Sequence, residues 1–372
     1  MLQVVPGLEQ GGVERGTVEI AAALVAAGWR AVVASAGGRL VHDIERAGGR
    51  HIALPLASKN PATILANARR LAAVIEREDI DIVHARSRAP AWSALMAAKR
   101  TGRHFITTFH AAYGTQTWLK RRYNSVMARG ERVIAISEFI ADHAAATYGI
   151  GHDRVRIIER GVDLDTFNPD RVAPARIIQL ADAWRLKDGE PVIMLPGRLA
   201  SGKGQLVLIE ALGRLGWHNL SCLFIGSGGK RYSETLERRI AELGLGGVCR
   251  FVEHCADMPA AYMLADVVVS ASTRPEGFGR AIAEALAMGR PVIATDHGGA
   301  SEIVERGVTG WLVPPGDADT LAEALAEALA LEPDRRHRLA ERAIASIRGR
   351  FSRGLMTGRT MAVYAEILGR DA

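Results

Sequence analysis

Short runs of apolar and β-branched residues alternate with longer segments of helical periodicity along the chain. Ten such runs predict buried strands: LQVV (2–5), AVVAS (31–35), DIVHA (81–85), HFITTF (104–109), RVIAIS (132–137), PVIML (191–195), SCLFIG (221–226), CRFVE (249–253), DVVVSAS (266–272) and PVIAT (291–295). Strands that alternate with helices form parallel sheets covered by helices on both faces. The pattern therefore predicts an α/β fold.

The alternation is interrupted once, by a polar, proline-bearing stretch at residues 163–191. This interruption predicts two doubly wound, Rossmann-like domains, 1–172 and 173–350, that face each other across a cleft. Residues 351–372 have helical spacing and are expected to form a tail helix that packs back across the hinge. Ligands of open parallel sheets bind beyond the carboxyl ends of the strands, so the turns there are expected to hold the chemistry.

Length and cysteine content place limits on the class of protein. A chain of 372 residues is long enough for two separate cores. Cys222, Cys249 and Cys255 form no C-x-x-C and are too few for a metal site or a disulfide framework. No stretch reaches the roughly 18 apolar residues of a membrane span, and the opening MLQVVPGLEQGG does not resemble a secretion signal. We expect a cytoplasmic protein without a bound metal.

The net charge of +6 is unevenly distributed. Residues 1–180 contain 24 Lys and Arg against 17 Asp and Glu, whereas residues 181–372 contain 23 against 24. Nucleic acid is not the expected partner, because aromatic residues make up only 5% of the chain and no basic stripe contains stacking aromatics. An anionic lipid or an anionic acceptor fits the basic first half better.

The densest basic cluster is WLKRRYNSVMARGERV, residues 118–133, which contains Lys120, Arg121 and Arg122. Apolar residues at approximately helical spacing accompany these charges. Two interpretations stay open: a helix that contacts an anionic membrane surface or the acceptor, and an ordinary amphipathic helix with a solvated basic face.

The stretch PGRLASGKGQ, residues 196–205, resembles a nucleotide triphosphatase loop up to Lys203. Gly204 stands where such a loop has the Ser or Thr that binds magnesium, so a magnesium-dependent ATPase is a distant alternative. Arg198 and Lys203 lie on a glycine-flexible turn, opened by Gly197, directly after a strand. Two cations placed in this way can bind a diphosphate leaving group.

A second candidate site begins with RPEGFG at residue 274. Glu276 precedes a glycine-containing turn that opens a helix, and the backbone amides of Phe278 and Gly279 can approach an anion at the helix N-terminus. Glu284 follows eight positions after Glu276, inside the helix. A buried carboxylate without partners is costly, so a ligand diol such as a ribose explains Glu284 better than packing does.

This stretch resembles the E-x7-E motif of retaining GT-B glycosyltransferases, specifically family 4, and the similarity extends over nearly the whole chain. The resemblance implies that Glu276 contacts donor-sugar hydroxyls, that Glu284 binds the ribose, and that Phe278 and Gly279 offer backbone amides. Arg198 and Lys203 match the diphosphate-binding pair of the family.

The first half resembles the opening of the same family. PGLEQGGVERG would place Gly11 and Gly12 beside the donor phosphate and the acceptor, although two glycines at this position also fit a simple tight turn. His110 follows a strand where the family has a histidine that contacts the donor sugar or supports the transition state. A structural role for His110 also remains open. Arg160 stands where Asn is usual in the family.

The resemblance implies a metal-independent hexosyltransferase that uses a nucleotide diphosphate sugar as a substrate, needs no cofactor and retains the anomeric configuration. UDP is favoured over GDP and ADP as the nucleotide of the donor. The acceptor is expected to be a glycan or a lipid-linked glycan of cell-envelope or lipopolysaccharide synthesis. The enzyme is expected at the inner face of the cytoplasmic membrane. Asp163 and Asp165 form a D-x-D, but they lie in the expected linker and are not predicted to bind metal. The alternatives are a GT-B sugar-nucleotide 2-epimerase or hydrolase and a non-catalytic nucleotide-sugar-binding scaffold.

Overall fold

The computed structural model describes residues 1–9, 11–114 and 116–369, so the last three residues of the expected tail, 370–372, lie outside the described residues. The strands are β1 (Leu2–Val4), β2 (Val32–Ser35), β3 (Arg50–Ala53), β4 (Ile82–Ala85), β5 (His104–Phe109), β6 (Arg132–Ala135), β7 (Val155–Ile157), β8 (Val192–Pro196), β9 (Ser221–Ile225), β10 (Cys249–Val252), β11 (Val267–Ser270), β12 (Val292–Thr295) and β13 (Gly310–Val313). The α-helices are α1 (Gly12–Ala26), α2 (Val41–Arg46), α3 (Pro61–Arg77), α4 (Arg88–Thr101), α5 (Trp118–Asn124), α6 (Glu138–Tyr148), α7 (Pro174–Ala183), α8 (Gln205–Leu215), α9 (Lys230–Glu242), α10 (Met258–Leu264), α11 (Arg280–Ala287), α12 (Ala300–Ile303), α13 (Ala318–Leu329), α14 (Pro333–Arg350) and α15 (Arg353–Ile367).

The strands form two parallel sheets. The first has the order β3-β2-β1-β4-β5-β6-β7 and the second has the order β10-β9-β8-β11-β12-β13. In each sheet the strand order reverses between two central neighbours, β1 and β4 in the first and β8 and β11 in the second. These topological switch points are where open α/β sheets bind ligands. The predicted doubly wound, Rossmann-like α/β architecture is confirmed, and it is that of the GT-B fold.

All ten predicted strands are present, and the described residues form three further strands that the sequence pattern did not predict. The additional strands are β3, β7 and β13, and each lies at the edge of its sheet. β3 and β7 contain only half-buried or exposed residues. An edge strand covers less apolar surface than a central one, so the continuous apolar run that marks a buried parallel strand is missing from β3 and β7. This reason does not apply to β13, in which Leu312 and Val313 are buried.

The chain forms two compact units. The first contains Met1–Gly161 and Arg353–Ala372, and the second contains Val162–Ser352. Residues 162–172, which the sequence pattern groups with the first domain, belong to the second unit by their contacts. The backbone N–H of Val162 donates to the carbonyl oxygen of Phe351 at 2.7 Å, which joins the two ends of that unit.

The tail helix α15 belongs to the first unit, where it packs against α1. The hydroxyl of Tyr364 lies 2.7 Å from Nδ1 of His84, and Nε2 of the same ring lies 2.7 Å from the hydroxyl of Thr108. Burial, helped by the charge of Arg86, lowers the pKa of His84 well below its ordinary value. The histidine is therefore a neutral hydrogen-bonding link between the tail helix and the sheet.

Candidate active site

The loop after β8 contains both cations of the predicted phosphate site. Gly197 has a φ of +149°, and Arg198 follows with an exposed side chain. A 3₁₀ turn over Ser201–Lys203 leads to Gly204, whose φ of +74° directs the chain into α8. The buried side chain of Gln205 donates from Nε2 to the carbonyl oxygen of Arg198 at 3.0 Å, which fixes the turn.

Neighbouring backbone closes tightly around this loop. A Cβ atom at Gly204 would overlap the carbonyl oxygen of Ala271, which follows β11, and a Cβ atom at Gly226 would overlap the carbonyl oxygen of Gly197. No side chain therefore fits at position 204 without movement of the loop. The hydroxyl with which a triphosphatase loop binds magnesium has no place here, which weighs against the ATPase alternative.

The structure brings the phosphate loop together with the first carboxylate of the E-x7-E motif. Nζ of Lys203 lies 2.8 Å from Oε2 of Glu276, and both side chains are partly exposed, at 33% and 22%. The other carboxylate oxygen, Oε1, accepts a hydrogen bond from the hydroxyl of Ser272. The pair forms because Lys203 and Glu276 follow β8 and β11, the adjacent strands at the switch point.

The turn after β12 supports Glu276, and sequence reasoning assigned it no role. Nε2 of His297 lies 2.8 Å from the carbonyl oxygen of Ser272. The backbone N–H of Gly299 donates to the carbonyl oxygen of Glu276 at 2.9 Å, and a Cβ atom at Gly299 would lie 2.6 Å from the carbonyl oxygen of Gly277. The available signal was the sequence Asp-His-Gly-Gly directly after a predicted strand.

Phe278 and Gly279 lead into α11. The Phe278 side chain is buried, and its ring meets that of Phe351 edge-to-face with the centroids 5.6 Å apart. Gly279 is the N-cap residue, with a φ of +112°. Because the Phe278 side chain is occupied in packing, the backbone amides are the groups that this turn can present to a ligand.

The premise that Glu284 lacks protein partners is wrong. Oε1 of Glu284 accepts from Nη2 of Arg280 at 2.9 Å, and Oε2 accepts from the buried hydroxyl of Tyr262 at 3.1 Å. Burial, together with the charge of Glu284, raises the pKa of Tyr262 well above its ordinary value, so the phenol stays a hydrogen-bond donor. A carboxylate has about four acceptor sites, so each oxygen retains capacity for a further hydroxyl.

In the first unit, the predicted glycine turn leads directly into α1. Gly11 is the N-cap residue and Gly12 is the first helical residue. Nη2 of Arg160 donates to the carbonyl oxygen of Gly12, and a Cβ atom at Gly16 would collide with the same guanidinium. The arginine that replaces the usual asparagine therefore lies against the glycine face at the start of α1.

His110 follows β5, as expected, and the residue as a whole is half-buried. Its Nε2 atom, however, is buried and has no hydrogen-bond partner among the described residues. Burial of the ring, helped by the positive charges of Arg86 and Arg160, lowers the pKa of His110 well below its ordinary value. The imidazole is therefore neutral at pH 7 and has one ring nitrogen available to a ligand.

The D-x-D pair has local structural roles. Oδ1 of Asp163 accepts from the backbone N–H of Asp165 at 3.1 Å, and Asp165 pairs with Arg171 at 2.8 Å. In the part of the chain that the structure describes, no group of three or more His, Cys, Asp or Glu side chains is arranged to hold a metal ion.

The chain matches known proteins over both units. Residues 10–166 match Glycosyltransferase Family 4, and residues 178–346 match Glycosyl transferases group 1. A GDP-mannose-dependent alpha-(1-6)-phosphatidylinositol monomannoside mannosyltransferase of Mycolicibacterium smegmatis is 31% identical over 308 residues, which are 80% of this chain and 71% of that protein. The chain belongs to the family 4 glycosyltransferases.

Solved structures agree with this assignment. A glycosyltransferase from Rickettsia africae ESF-5 is 38% identical to this glycosyltransferase, with a TM-score of 0.92 over 100% of this chain and 98% of that one. Anabaena HepE, solved in complex with UDP-glucose, is 23% identical, with a TM-score of 0.86 over 98% of this chain and 99% of its own. At that identity the second likeness shows the shared fold.

The basic cluster of the glycosyltransferase differs from the single helical stripe that its sequence suggested. α5 ends at Asn124, and Val126 and Met127 are buried in the 3₁₀ turn that follows. Trp118 and Leu119 are exposed, at 70% and 60%, beside the exposed Lys120, Arg121 and Arg122. The apolar residues of the segment thus divide into a buried pair and an exposed pair.

No helix within the described ranges is long and apolar enough to span a membrane.

Proposed function

We propose that this glycosyltransferase transfers a hexose from a nucleotide diphosphate sugar, with UDP-sugars favoured, to a hydroxyl of a glycan or lipid-linked acceptor, with retention at the anomeric carbon and without a bound metal. The observation that carries the proposal is the Lys203–Glu276 contact beside the exposed Arg198, at the switch point of the second sheet. A cation for the leaving group and a carboxylate for the sugar lie next to each other there.

In this proposal the two cations stabilise the departing diphosphate. Negative charge grows on the leaving group in the transition state, so Arg198, Lys203 and the amides near Gly279 lower the barrier as it forms. Donor binding replaces the Lys203–Glu276 contact: the ammonium group moves to the diphosphate, and the carboxylate is released to accept from sugar hydroxyls. Partly exposed ion pairs are weak, so this exchange costs little.

Glu276 orients hydroxyl groups in this scheme and has no part as a nucleophile. A double-displacement route requires a carboxylate that attacks the far side of the sugar, and the scheme assigns this role to no residue. The reaction instead proceeds on one face through a short-lived oxocarbenium-like state. In the first unit, we assign Gly11 and Gly12 to the donor phosphate and the acceptor, and the neutral His110 to a polar group of a substrate.

Glu284 is the proposed ribose ligand. Arg280 and Tyr262 hold its two oxygens from the protein side, which orients the carboxylate before a nucleotide binds. Orientation in advance lowers the entropy that binding must remove. The ribose diol then adds to a carboxylate that is already positioned.

Titration calorimetry with UDP, GDP, ADP and ATP tests the donor half of the proposal. We expect one nucleoside diphosphate, UDP first, to bind equally in EDTA and in magnesium, because protein cations provide the phosphate contacts. Glu284→Gln should weaken that binding by about 10-fold, the effect of losing one charge-assisted hydrogen bond. Glu237→Gln on the exposed face of α9 removes the same charge from the same unit and should leave binding unchanged.

Two results would contradict the donor assignment. Binding of ATP alone, and only with magnesium, would identify the loop after β8 as a triphosphatase loop. Equal nucleotide affinities in Glu284→Gln and Glu237→Gln would remove Glu284 from the ribose site. The epimerase, hydrolase and scaffold alternatives are separated by the products, because only a transferase forms a glycosylated product that depends on the acceptor.

For the acceptor side, we propose a glycan or lipid-linked glycan of cell-envelope or lipopolysaccharide synthesis, with the enzyme peripherally bound at the inner face of the cytoplasmic membrane. Exposed Trp118 and Leu119 beside Lys120, Arg121 and Arg122 support this assignment. Aromatic and aliphatic side chains insert at the headgroup boundary, and basic side chains attract anionic lipids.

Liposome flotation tests the membrane contact. We expect the enzyme to float with anionic vesicles, and neutralisation of Lys120, Arg121 and Arg122 by glutamine to weaken binding by about 10-fold or more, since each basic residue near the surface contributes about 1 kcal/mol. The matched control neutralises three exposed residues of the same unit, Arg69, Lys99 and Arg100, and should still float. Equal binding by the two triple variants would refute a specific role for the basic cluster.

A further inference from the structure

Arg86 is a buried cation that the proposed reaction does not use. It directly follows β4 and is only 3% exposed. Within the described ranges its guanidinium forms no hydrogen bond or ion pair with the protein, and its Nε atom is fully buried. Burial lowers the pKa of Arg86 from its ordinary value, although the group stays charged at neutral pH. A buried charge without a partner is costly, so its retention needs a reason.

A small cavity next to Arg86 has further groups that suit an anion. It measures about 10 Å³ and is lined by Arg86, Arg160 and His110, among others. Arg160 is also buried, at 7% exposed, and the buried Nε2 of His110 has no partner among the described residues. Two arginines and a histidine with an available ring nitrogen therefore line one cavity.

Glu19, the acidic side chain that attracts Arg86, does not form an ion pair with it. In the described part of the chain no carboxylate lies within the 4.0 Å of an ion pair with Arg86. Oε2 of Glu19 is itself buried without a partner. The hydroxyl of Thr108, which also lines the cavity, is already bonded to His84.

The geometry points to an oxyanion subsite at Arg86, Arg160 and His110, which binds a phosphate or carboxylate group of a substrate. The inference rests on the proposed transfer reaction and adds a chemical requirement to it: one of the two substrates has an anionic group at this point. A guanidinium binds such a group in bidentate fashion, and a neutral imidazole donates from its protonated nitrogen. The cavity has room for about one oxygen atom of the group.

The topology of the first sheet supports the placement. Arg86 follows β4 and the Gly11–Gly12 turn follows β1, and these two strands are the neighbours at which the strand order reverses. Ligands of open parallel sheets bind in that crevice. The guanidinium of Arg160 reaches the same place, because it lies against Gly12 and Gly16.

Thermal unfolding in increasing inorganic phosphate tests the subsite directly. A ligand that binds only the folded state raises Tm with its concentration. Because phosphate also binds at the proposed donor site, the reference protein is Arg198→Gln, which removes a cation there and keeps the subsite. We expect the phosphate-dependent rise in Tm to persist in Arg198→Gln. Addition of Arg86→Gln or Arg160→Asn to that variant should raise the apparent dissociation constant for phosphate by about 10-fold or more.

A further variant and a second comparison keep the test falsifiable. Arg86→Lys retains the charge without the bidentate geometry and should bind phosphate with intermediate affinity. Should Arg86→Gln fail to fold, Arg160→Asn, which restores the residue usual at that position, provides the comparison. An identical phosphate response in Arg198→Gln and in both double variants would overturn the subsite. None of these measurements depends on sugar transfer, so they stand even if the proposed reaction fails.

The origin of the anion follows from binding and kinetic measurements on Arg86→Gln. An increase of about 10-fold in acceptor KM with unchanged donor affinity places the anion on the acceptor. A similar loss of donor affinity, measured by titration with the nucleotide sugar, places it on the donor. No change in either constant, in a transferase that is otherwise active, would overturn the assignment to a substrate.

Discussion

Lys203→Ala and Arg198→Ala are each expected to lower kcat by about 10²–10³-fold, the loss typical for removal of one preorganised group that stabilises developing charge. The fold should survive both changes. Arg198 is exposed, and the Lys203–Glu276 contact is a partly exposed ion pair that contributes little to stability. Steady-state kinetics at saturating donor, with a thermal melt of each variant, separates the loss of transition-state stabilisation from a loss of folding.

Matched controls are available on the same unit. Lys187→Ala and Arg214→Ala each remove an exposed cation that pairs with a carboxylate, Glu190 or Asp319. Neither residue follows the carboxyl end of a strand, so both variants should retain wild-type kcat. Lys203→Arg, which keeps the charge, should retain more activity than Lys203→Ala. Near-wild-type turnover in Lys203→Ala at saturating donor would refute the leaving-group role.

Gly204→Ala is expected to combine a large loss of stability with a loss of activity. Its φ of +74° disfavours any residue with a Cβ atom, at about 1–2 kcal/mol. The added methyl would also overlap the Ala271 carbonyl oxygen, and overpacking of this kind costs typically about 1–3 kcal/mol. Any movement that relieves the overlap also moves the loop that positions Lys203. Misplacement of a catalytic group by about 1 Å lowers the rate by about 10²-fold, so we expect a loss of kcat of that size.

Gly216→Ala separates backbone strain from the overlap. Gly216 ends the same helix, α8, with a φ of +63°, and an added Cβ atom would meet no atom within 4 Å. This variant should show only the conformational cost and keep full activity. The measurements are urea midpoints and kcat of the two variants. Equal midpoints with wild-type kcat in both would show that the loop has room for a side chain at position 204.

Both expected results depend on one arrangement in the second unit. The turn before α8 lies against the end of β11, and the same end of β11 leads to Ser272 and Glu276. Close backbone packing at Gly204 and the ion pair at Lys203 therefore have a common cause. Parallel strands at a switch point bring their carboxyl ends together, with the following helices on opposite faces of the sheet.

The amino-acid sequence by itself determined the class of the fold. Central strands such as β9 are buried along their whole length, so their sequences contain continuous apolar runs that the local residue pattern reveals. The edge strands β3 and β7 leave no such run, and only their pairing with a neighbour shows them to be strands. Motif resemblance also indicated the family, which the comparisons with known proteins confirm.

The tertiary structure decided which groups meet. Lys203 and Glu276 come from separate segments, and no local pattern predicts their ion pair. The partners of Glu284 include Tyr262 from α10. The packing of Arg160 against Gly12 joins the two ends of the segment Met1–Gly161. Hydrophobic periodicity encodes local conformation and burial, whereas contacts between distant polar side chains depend on strand order. For this reason the sequence predicted the sheets and the candidate residues, and the fold alone established how those residues pair.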